Sequence, residues 1–222
     1  MLALAVPMQS SAAVNAETVG RNKMKAVKNL PEGYKEIFTV NLQKDKKTAV
    51  LVNVLATVIA IALCVPMHFY ISFFTLFDME QGLGAYTLRF IVLLVLLVVY
   101  MVLHDLVHGI TMKLFGTKKI KYGFTGLYAF AGSDDYYPKL PYIIIALAPV
   151  AVLGVVIAVI NCFVPREWFW VVYFIQLMNI SGAAGDMYVT AKFSRMPKDI
   201  LVQDSGICMT VYSAQAANED HN

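Results

Sequence analysis

Four long apolar stretches dominate the pattern of hydrophobic and polar positions along this chain. They cover residues 50–77, 88–115, 142–164 and 168–189. An α-helix needs about 20 predominantly apolar residues to cross the hydrocarbon core of a bilayer. The pattern therefore predicts a mainly α-helical integral membrane protein with about four transmembrane helices.

The polar segments around these stretches predict the rest of the organisation. Residues 1–29 are expected to form a flexible N-terminal segment, residues 30–212 a membrane domain, and residues 213–222 a C-terminal tail. After the second stretch, "KIKYGFTG" alternates apolar and polar side chains and "LYAFA" follows it, which predicts a small cytoplasmic β-hairpin over residues 119–131. Two further short strands, "DILVQ" and "ICMTVY", are predicted on either side of the turn sequence "DSG".

Composition and charge support a membrane location and indicate an orientation. The chain is 59% hydrophobic and 15% charged, whereas soluble domains have about 45–50% apolar and about 25% charged residues. Of the 18 Lys and Arg residues, eight lie in residues 21–47, five in residues 113–139 and three in residues 192–198. An even number of spans puts these segments on one side of the membrane. Because cytoplasmic segments carry the excess of Lys and Arg, we expect a multi-pass protein of the cell membrane with both termini in the cytoplasm.

Two histidines near the end of the second apolar stretch are the strongest chemical signal. His104 and His108 are four residues apart, so on a helix they lie one turn apart on the same face and can reach one metal ion. Asp105 follows the first histidine, at the position where peptidases of the H-E-x-x-H type carry the glutamate that acts as general base. Ionisable groups are costly within a membrane helix. The pattern therefore favours a zinc site over packed or hydrogen-bonded histidines, the alternative interpretation.

A third ligand is predicted on the fourth apolar stretch. Asp186 lies about as far along its stretch as His104 does along the second, so the two side chains are expected at matching depth. The small residues of "SGAAG" before Asp186 would allow close helix packing. Asp186 could instead extend towards Lys192. Asn179 lies about two turns before Asp186 and is a candidate substrate-binding residue, although polar packing explains it equally well.

Together these segments resemble a known family. "LPEGYKEIFTVNLQK", "HDLVHG", the tyrosine-rich loop, "IALAP" and "NISGAAGD" are similar to the bacterial membrane proteins grouped as putative zincin peptidases, and in order they are distantly similar to the site-2 intramembrane metalloproteases. The resemblance implies zinc as the cofactor at His104, His108 and Asp186. It also implies a bend at Pro149 beside the site and Asn179 near the substrate.

One residue departs from the family pattern and leaves the function open. Asp105 replaces the usual glutamate and is one methylene shorter, which reduces the reach of a general base. The leading hypothesis is a membrane-embedded zinc metalloendopeptidase in which Asp105 activates water near the cytoplasmic face. The alternatives are a catalytically impaired relative that acts as a metal-binding scaffold or regulator, and a small transporter subunit. The expected partners are the lipid bilayer and a protein or peptide substrate, with no nucleic acid.

Overall fold

The structure, a computed structural model, describes residues 24–41, 44–124, 126 and 129–214. Residues 1–23 of the predicted N-terminal segment and residues 215–222 of the predicted C-terminal tail lie outside the described residues. The described part is mainly helical, with small antiparallel sheets at one end of the helices.

Five α-helices account for most of the described residues. They are α1 (Lys46–Tyr70), α2 (Leu83–Leu114), α3 (Lys139–Phe163), α4 (Phe169–Gly182) and α5 (Ala184–Ser194). Short 3-10 helices at Phe73–Phe77 and Arg166–Trp168 connect α1 to α2 and α3 to α4. By length and composition, α1, α2 and α3 could each cross a membrane.

The fourth apolar stretch corrects the prediction of one continuous helix over residues 168–189. The helix ends at Gly182 and a new one begins at Ala184, with Ala183 between them at φ −80° and ψ 13°. The break falls within "GAAG", where glycine lowers the intrinsic helix propensity. The break therefore sets the direction of the helix that carries Asp186.

Helix α4 is the centre of the helical bundle and packs against α1, α2 and α3. Its aromatic and aliphatic side chains are buried among them, including the fully buried Trp170 and Val171. The Trp170 indole N–H donates to the carbonyl oxygen of Ser72 at 2.9 Å, so the buried ring also satisfies its polar atom. The start of α4 is thereby held next to the end of α1.

Among the described residues, six strands form two antiparallel sheets. They are β1 (Lys35–Val40), β2 (Lys121–Phe124), β3 (Ala129–Gly132), β4 (Tyr136–Pro138), β5 (Leu201–Asp204) and β6 (Met209–Ser213). Strands β2 and β3 pair as the predicted hairpin, and β5 and β6 pair as the predicted C-terminal strands. The second pair lies within a four-stranded sheet of order β1-β6-β5-β4, whose outer strands the sequence pattern did not indicate.

The four-stranded sheet packs against the ends of α2, α3 and α5. Val202 and Val211 from the sheet share a core with Met112, Tyr142 and Phe193 from the helices, all of them buried. The pairing of β1 with β6 places the two ends of the described chain at the same end of the bundle. The histidines of α2 lie near this junction of helices and sheet.

Candidate metal centre

The two histidines lie on one face of α2, as their spacing predicts. His104 Nε2 and His108 Nε2 are 3.2 Å apart, and the ring centroids are 4.8 Å apart. The α-helical geometry of residues Leu83–Leu114 continues through both positions, so the backbone alone brings the rings together.

The third predicted ligand comes from α5. Asp186 lies in the first turn of this helix, and its Oδ2 is 3.5 Å from His104 Nε2 and 3.7 Å from His108 Nε2. Four-coordinate zinc with bonds of about 2.0–2.2 Å places its ligand atoms about 3.3–3.6 Å apart. The three side chains therefore form a group that could hold a metal ion.

The outer nitrogen of His108 is held by a carbonyl that a proline leaves free. His108 Nδ1 lies 2.9 Å from the carbonyl oxygen of Ile145 on α3. In a regular helix that carbonyl would accept the N–H of residue 149, but Pro149 has none. Because a carbonyl only accepts, Nδ1 carries the proton and Nε2 presents its lone pair to the site.

Tyr100 orients the other imidazole. Its hydroxyl lies 3.1 Å from His104 Nδ1 and can donate to the carbonyl oxygen of Met178, 3.5 Å away on α4. With the hydroxyl donating to Met178, His104 Nδ1 donates to Tyr100, and His104 Nε2 also presents a lone pair. Metal-binding histidines have a hydrogen-bond partner of this kind on the ring nitrogen that faces away from the metal, and this partner fixes the tautomer and the ring orientation.

The residues present fit a metal cation. In these tautomers two imidazole lone pairs and one carboxylate oxygen converge within 4.8 Å of one another, and three electron-rich atoms at this distance repel unless a cation or a proton lies between them. The side chains are 16%, 13% and 21% exposed for His104, His108 and Asp186, so the site is accessible from one side. Two nitrogens and one oxygen also match the ligand chemistry of catalytic zinc sites.

Asp105 lies beside the three ligands without joining them. It is buried, 9% exposed, and its charge interacts with both histidines and with Asp186. Its side chain lines the same cavity as the metal-binding group. A carboxylate in this position is available to accept a proton from water.

The cavity beside this group has a volume of about 590 Å³, within the range of about 300–1,000 Å³ typical of ligand pockets. Its walls come from helices α2, α3, α4 and α5, strand β3, and strands β5 and β6 with the turn between them. Apolar side chains predominate, among them Leu97, Met101, Phe130, Ile145 and Ile207. The cavity can therefore hold a short segment of apolar chain against the candidate ligands.

Sequence reasoning missed three polar residues of this cavity, which are Asp204, Tyr142 and Tyr100. Asp204 on β5 is 8% exposed, and its Oδ2 accepts a hydrogen bond of 2.8 Å from the Tyr142 hydroxyl on α3. Burial raises the pKa of the Asp204 carboxyl, and the hydrogen bonds from Gly206 and Tyr142 oppose this shift. No sequence signal links β5 to α3. Tyr100, by contrast, is four residues before His104 and could have been found from helix periodicity.

Asn179 lies apart from the cavity walls. It is fully buried between α3 and α4, where its Nδ2 donates to the carbonyl oxygen of Val150 at 3.2 Å. Its Oδ1 is buried without a hydrogen-bond partner among the described residues. Its role in substrate binding stays a prediction, and its observed contact is one of helix packing.

A family model matches the part of the chain that contains this site. Residues 97–201 match the model of a protein family described as "Putative zincin peptidase". The zincin resemblance predicted from the sequence is thereby confirmed. The zincin match begins three residues before Tyr100 and includes both histidines, Asp105 and Asp186, but it ends before Asp204.

A curated relative supports the similarity without adding a function. Over 127 residues the chain is 32% identical to the "Uncharacterized 24.7 kDa protein in gap 5'region" of Pyrococcus woesei. The alignment covers 55% of this chain and 54% of the relative, so the chain matches about half of that protein's length. No solved structure matches the chain significantly.

Proposed function

We propose that this protein is a membrane-embedded zinc metallopeptidase whose active site is the cavity beside His104, His108 and Asp186. The observation that carries the proposal is the convergence of their ligand atoms at 3.2, 3.5 and 3.7 Å, with each outer imidazole nitrogen within hydrogen-bond distance of a partner. The zincin family match over residues 97–201 supports it.

Each residue has a defined task in this proposal. A bound zinc ion would supply Lewis-acid chemistry, lowering the pKa of water and polarising the peptide carbonyl. His104, His108 and Asp186 would hold the ion, while Tyr100 and the Ile145 carbonyl would keep the imidazoles in the ligating tautomer. Asp105 accepts the proton of the attacking water and can return it to the leaving amine.

Strand β3 is the proposed docking element for substrate. Its residues Ala129–Ala131 line the cavity, and on its other side β3 pairs with β2. An extended peptide can add to a strand edge through main-chain hydrogen bonds. Such binding would bring the peptide backbone next to the candidate metal ligands, whatever most of the peptide's side chains are.

The proposed location is the cell membrane, with the active site near the cytoplasmic face. Support comes from the three helices of sufficient length and from many large apolar side chains exposed along α1 and α2. The excess of Lys and Arg at the end of the bundle that carries both sheets supports the orientation. Cysteines introduced at positions 28, 120 and 205, with the native cysteines replaced by serine, should resist labelling by an impermeant maleimide on intact cells. Strong labelling of any one would refute this orientation.

Metal content is the first test of the proposal. Purified wild-type protein should contain about one zinc ion per chain, as measured by inductively coupled plasma mass spectrometry. The His104→Ala and Asp186→Asn variants should lose the zinc. His68→Ala is the matched control, because its Nδ1 accepts the Phe73 N–H at 3.0 Å, away from the candidate site. Equal zinc in wild type and His104→Ala would refute the assigned site.

Hydrolysis is tested separately at Asp105. Co-expression with single-span membrane proteins, followed by blotting, should show cleavage by wild type and none by Asp105→Asn, which retains zinc but cannot accept the proton. Asp105→Glu should retain or raise activity, since it restores the reach of the usual glutamate. Cleavage that persists unchanged in Asp105→Asn would refute the role of Asp105 and leave the metal site standing.

A non-catalytic scaffold is the second candidate, and the short side chain of Asp105 favours it. In that case the protein would bind zinc, wild type would cleave nothing, and Asp105→Asn would keep the cellular function. The two experiments together separate a metal-binding scaffold from an enzyme.

A further inference from the structure

The cavity contains one carboxylate more than the proposed chemistry uses. Asp105, Asp186 and Asp204 all line it, and no lysine or arginine does so among the described residues. With both imidazoles neutral, three carboxylates exceed the charge of one divalent cation by one unit. Asp204 is the carboxylate without an assigned role, because Asp186 is a proposed metal ligand and Asp105 is the proposed base.

Asp204 is held in place without being neutralised. Its Oδ2 accepts from the Tyr142 hydroxyl and its Oδ1 accepts from the Gly206 N–H, both at 2.8 Å. Both donors are uncharged, and no salt bridge to Asp204 is formed by the described residues. A buried carboxylate without a counter-charge is unfavourable, and a cation that enters the cavity relieves this cost.

The surroundings of Asp204 fit an alkylammonium group better than a second metal ion. No other His, Cys, Asp or Glu among the described residues forms a metal-binding group with Asp204. Ile207, from the turn that follows Asp204, and Met209, the β6 residue paired with Asp204, line the cavity with apolar surface. Such surface suits the methylene stem of a lysine or arginine whose charged end meets a carboxylate.

We propose that Asp204 is a specificity residue that selects peptides carrying a cationic group close to the scissile bond. This inference rests on the proposed peptidase function. The cationic group is either a lysine or arginine side chain or a free α-ammonium group, since both offer the same N–H donors and charge. A hydrogen bond to a charged group is stronger than one between neutral groups, so we expect a difference in affinity of about 10- to 30-fold.

Peptide hydroxamates test the inference without requiring hydrolysis. The hydroxamate group binds catalytic zinc, and the attached dipeptide carries lysine, norleucine or glutamate at the first or the second position. Each is made with an acetylated and with a free amino terminus. Binding to the zinc-loaded full chain in detergent is measured by competition against a fluorescent hydroxamate. Wild type should bind a lysine compound about 10- to 30-fold more tightly than its norleucine counterpart, and glutamate compounds most weakly.

Variants distinguish charge from structure. Asp204→Asn should remove the preference for lysine while norleucine compounds bind as to wild type. Tyr142→Phe breaks the same hydrogen bond but keeps the charge, so it should retain the preference. Asp134→Asn is the matched control, because Asp134 is exposed and pairs with Lys121 outside the cavity. If Asp204→Asn and Tyr142→Phe weaken all compounds equally, Asp204 is structural and the inference is wrong.

The remaining outcomes are also decisive. A preference for free over acetylated termini, lost in Asp204→Asn, supports the inference and identifies the α-ammonium group. Hydroxamates that bind wild type equally, whatever their charge, would refute the inference while supporting the metal site. If no hydroxamate binds a zinc-loaded protein, the proposed peptidase site itself fails, and the specificity inference fails with it.

Discussion

Pro149 leaves the Ile145 carbonyl free to accept from His108, so replacing Pro149 by alanine tests how far this hydrogen bond supports metal binding. Alanine restores a helical N–H directed at the Ile145 carbonyl, which now accepts from His108 Nδ1 at 2.9 Å. The new donor competes with His108 for the same oxygen. The imidazole then loses part of the hydrogen bond that fixes its ligating tautomer.

The expected magnitude follows from this one hydrogen bond. A typical intramolecular hydrogen bond contributes about 0.5–1.5 kcal/mol, and loss of an outer-shell partner lowers metal affinity by about 10–100-fold. Because a carbonyl oxygen has two lone pairs and can keep a weakened bond, we expect the lower end, about 10-fold for Pro149→Ala. The free energy of unfolding should not fall, since alanine is favoured over proline by about 3 kcal/mol within a helix.

The assay is a competition titration of purified protein against a chromogenic zinc chelator, with thermal unfolding of the metal-free protein measured in parallel. Pro141→Ala is the matched control, because Pro141 lies in the first turn of the same helix, where the backbone N–H groups have no intrahelical acceptor. Unchanged zinc affinity in Pro149→Ala would refute the argument, and so would an equal loss of affinity in Pro141→Ala.

Three further predictions concern the surroundings of the site. Tyr100→Phe removes the partner of His104 Nδ1 and should weaken zinc binding about 10-fold in the same titration. The control is Tyr86→Phe, which makes the same change at a tyrosine distant in sequence from the site. Gly132→Ala should lower thermal stability more than Gly109→Ala, because a Cβ at Gly132 would clash with the Ser205 backbone, whereas the atoms nearest to a Cβ at Gly109 belong to the movable Tyr122 side chain. Equal losses would contradict the packing described. Burial raises the pKa of Asp204, so the folded state binds the carboxyl proton more tightly than the unfolded state does. The contribution of Asp204 to stability therefore falls as the pH rises from about 4 through the pKa of the folded state. Asp204→Asn should flatten that part of the stability–pH curve, and an unchanged slope would show that Asp204 is not the group responsible.

The sequence alone determined the features that depend on local spacing. Apolar runs of sufficient length predicted α1, α2 and α3, and alternating polarity predicted the β2–β3 hairpin. The spacing of His104 and His108 required only an intact helix to place their rings on one face. Asp186 could be predicted as the third ligand because residues at equal depth on two predicted transmembrane helices can lie close together.

The tertiary structure decided the contacts between segments distant in the chain. Strand β1 finds its partner β6 more than 160 residues later, and Tyr142 meets Asp204 across 62 residues. The Ile145 carbonyl reaches His108 only because α3 packs against α2 with Pro149 at the right turn. Hydropathy and periodicity report which face of an element is buried. They carry no information about which backbone carbonyl or carboxylate of another element that face will meet, because this depends on how the helices cross and how the strands pair.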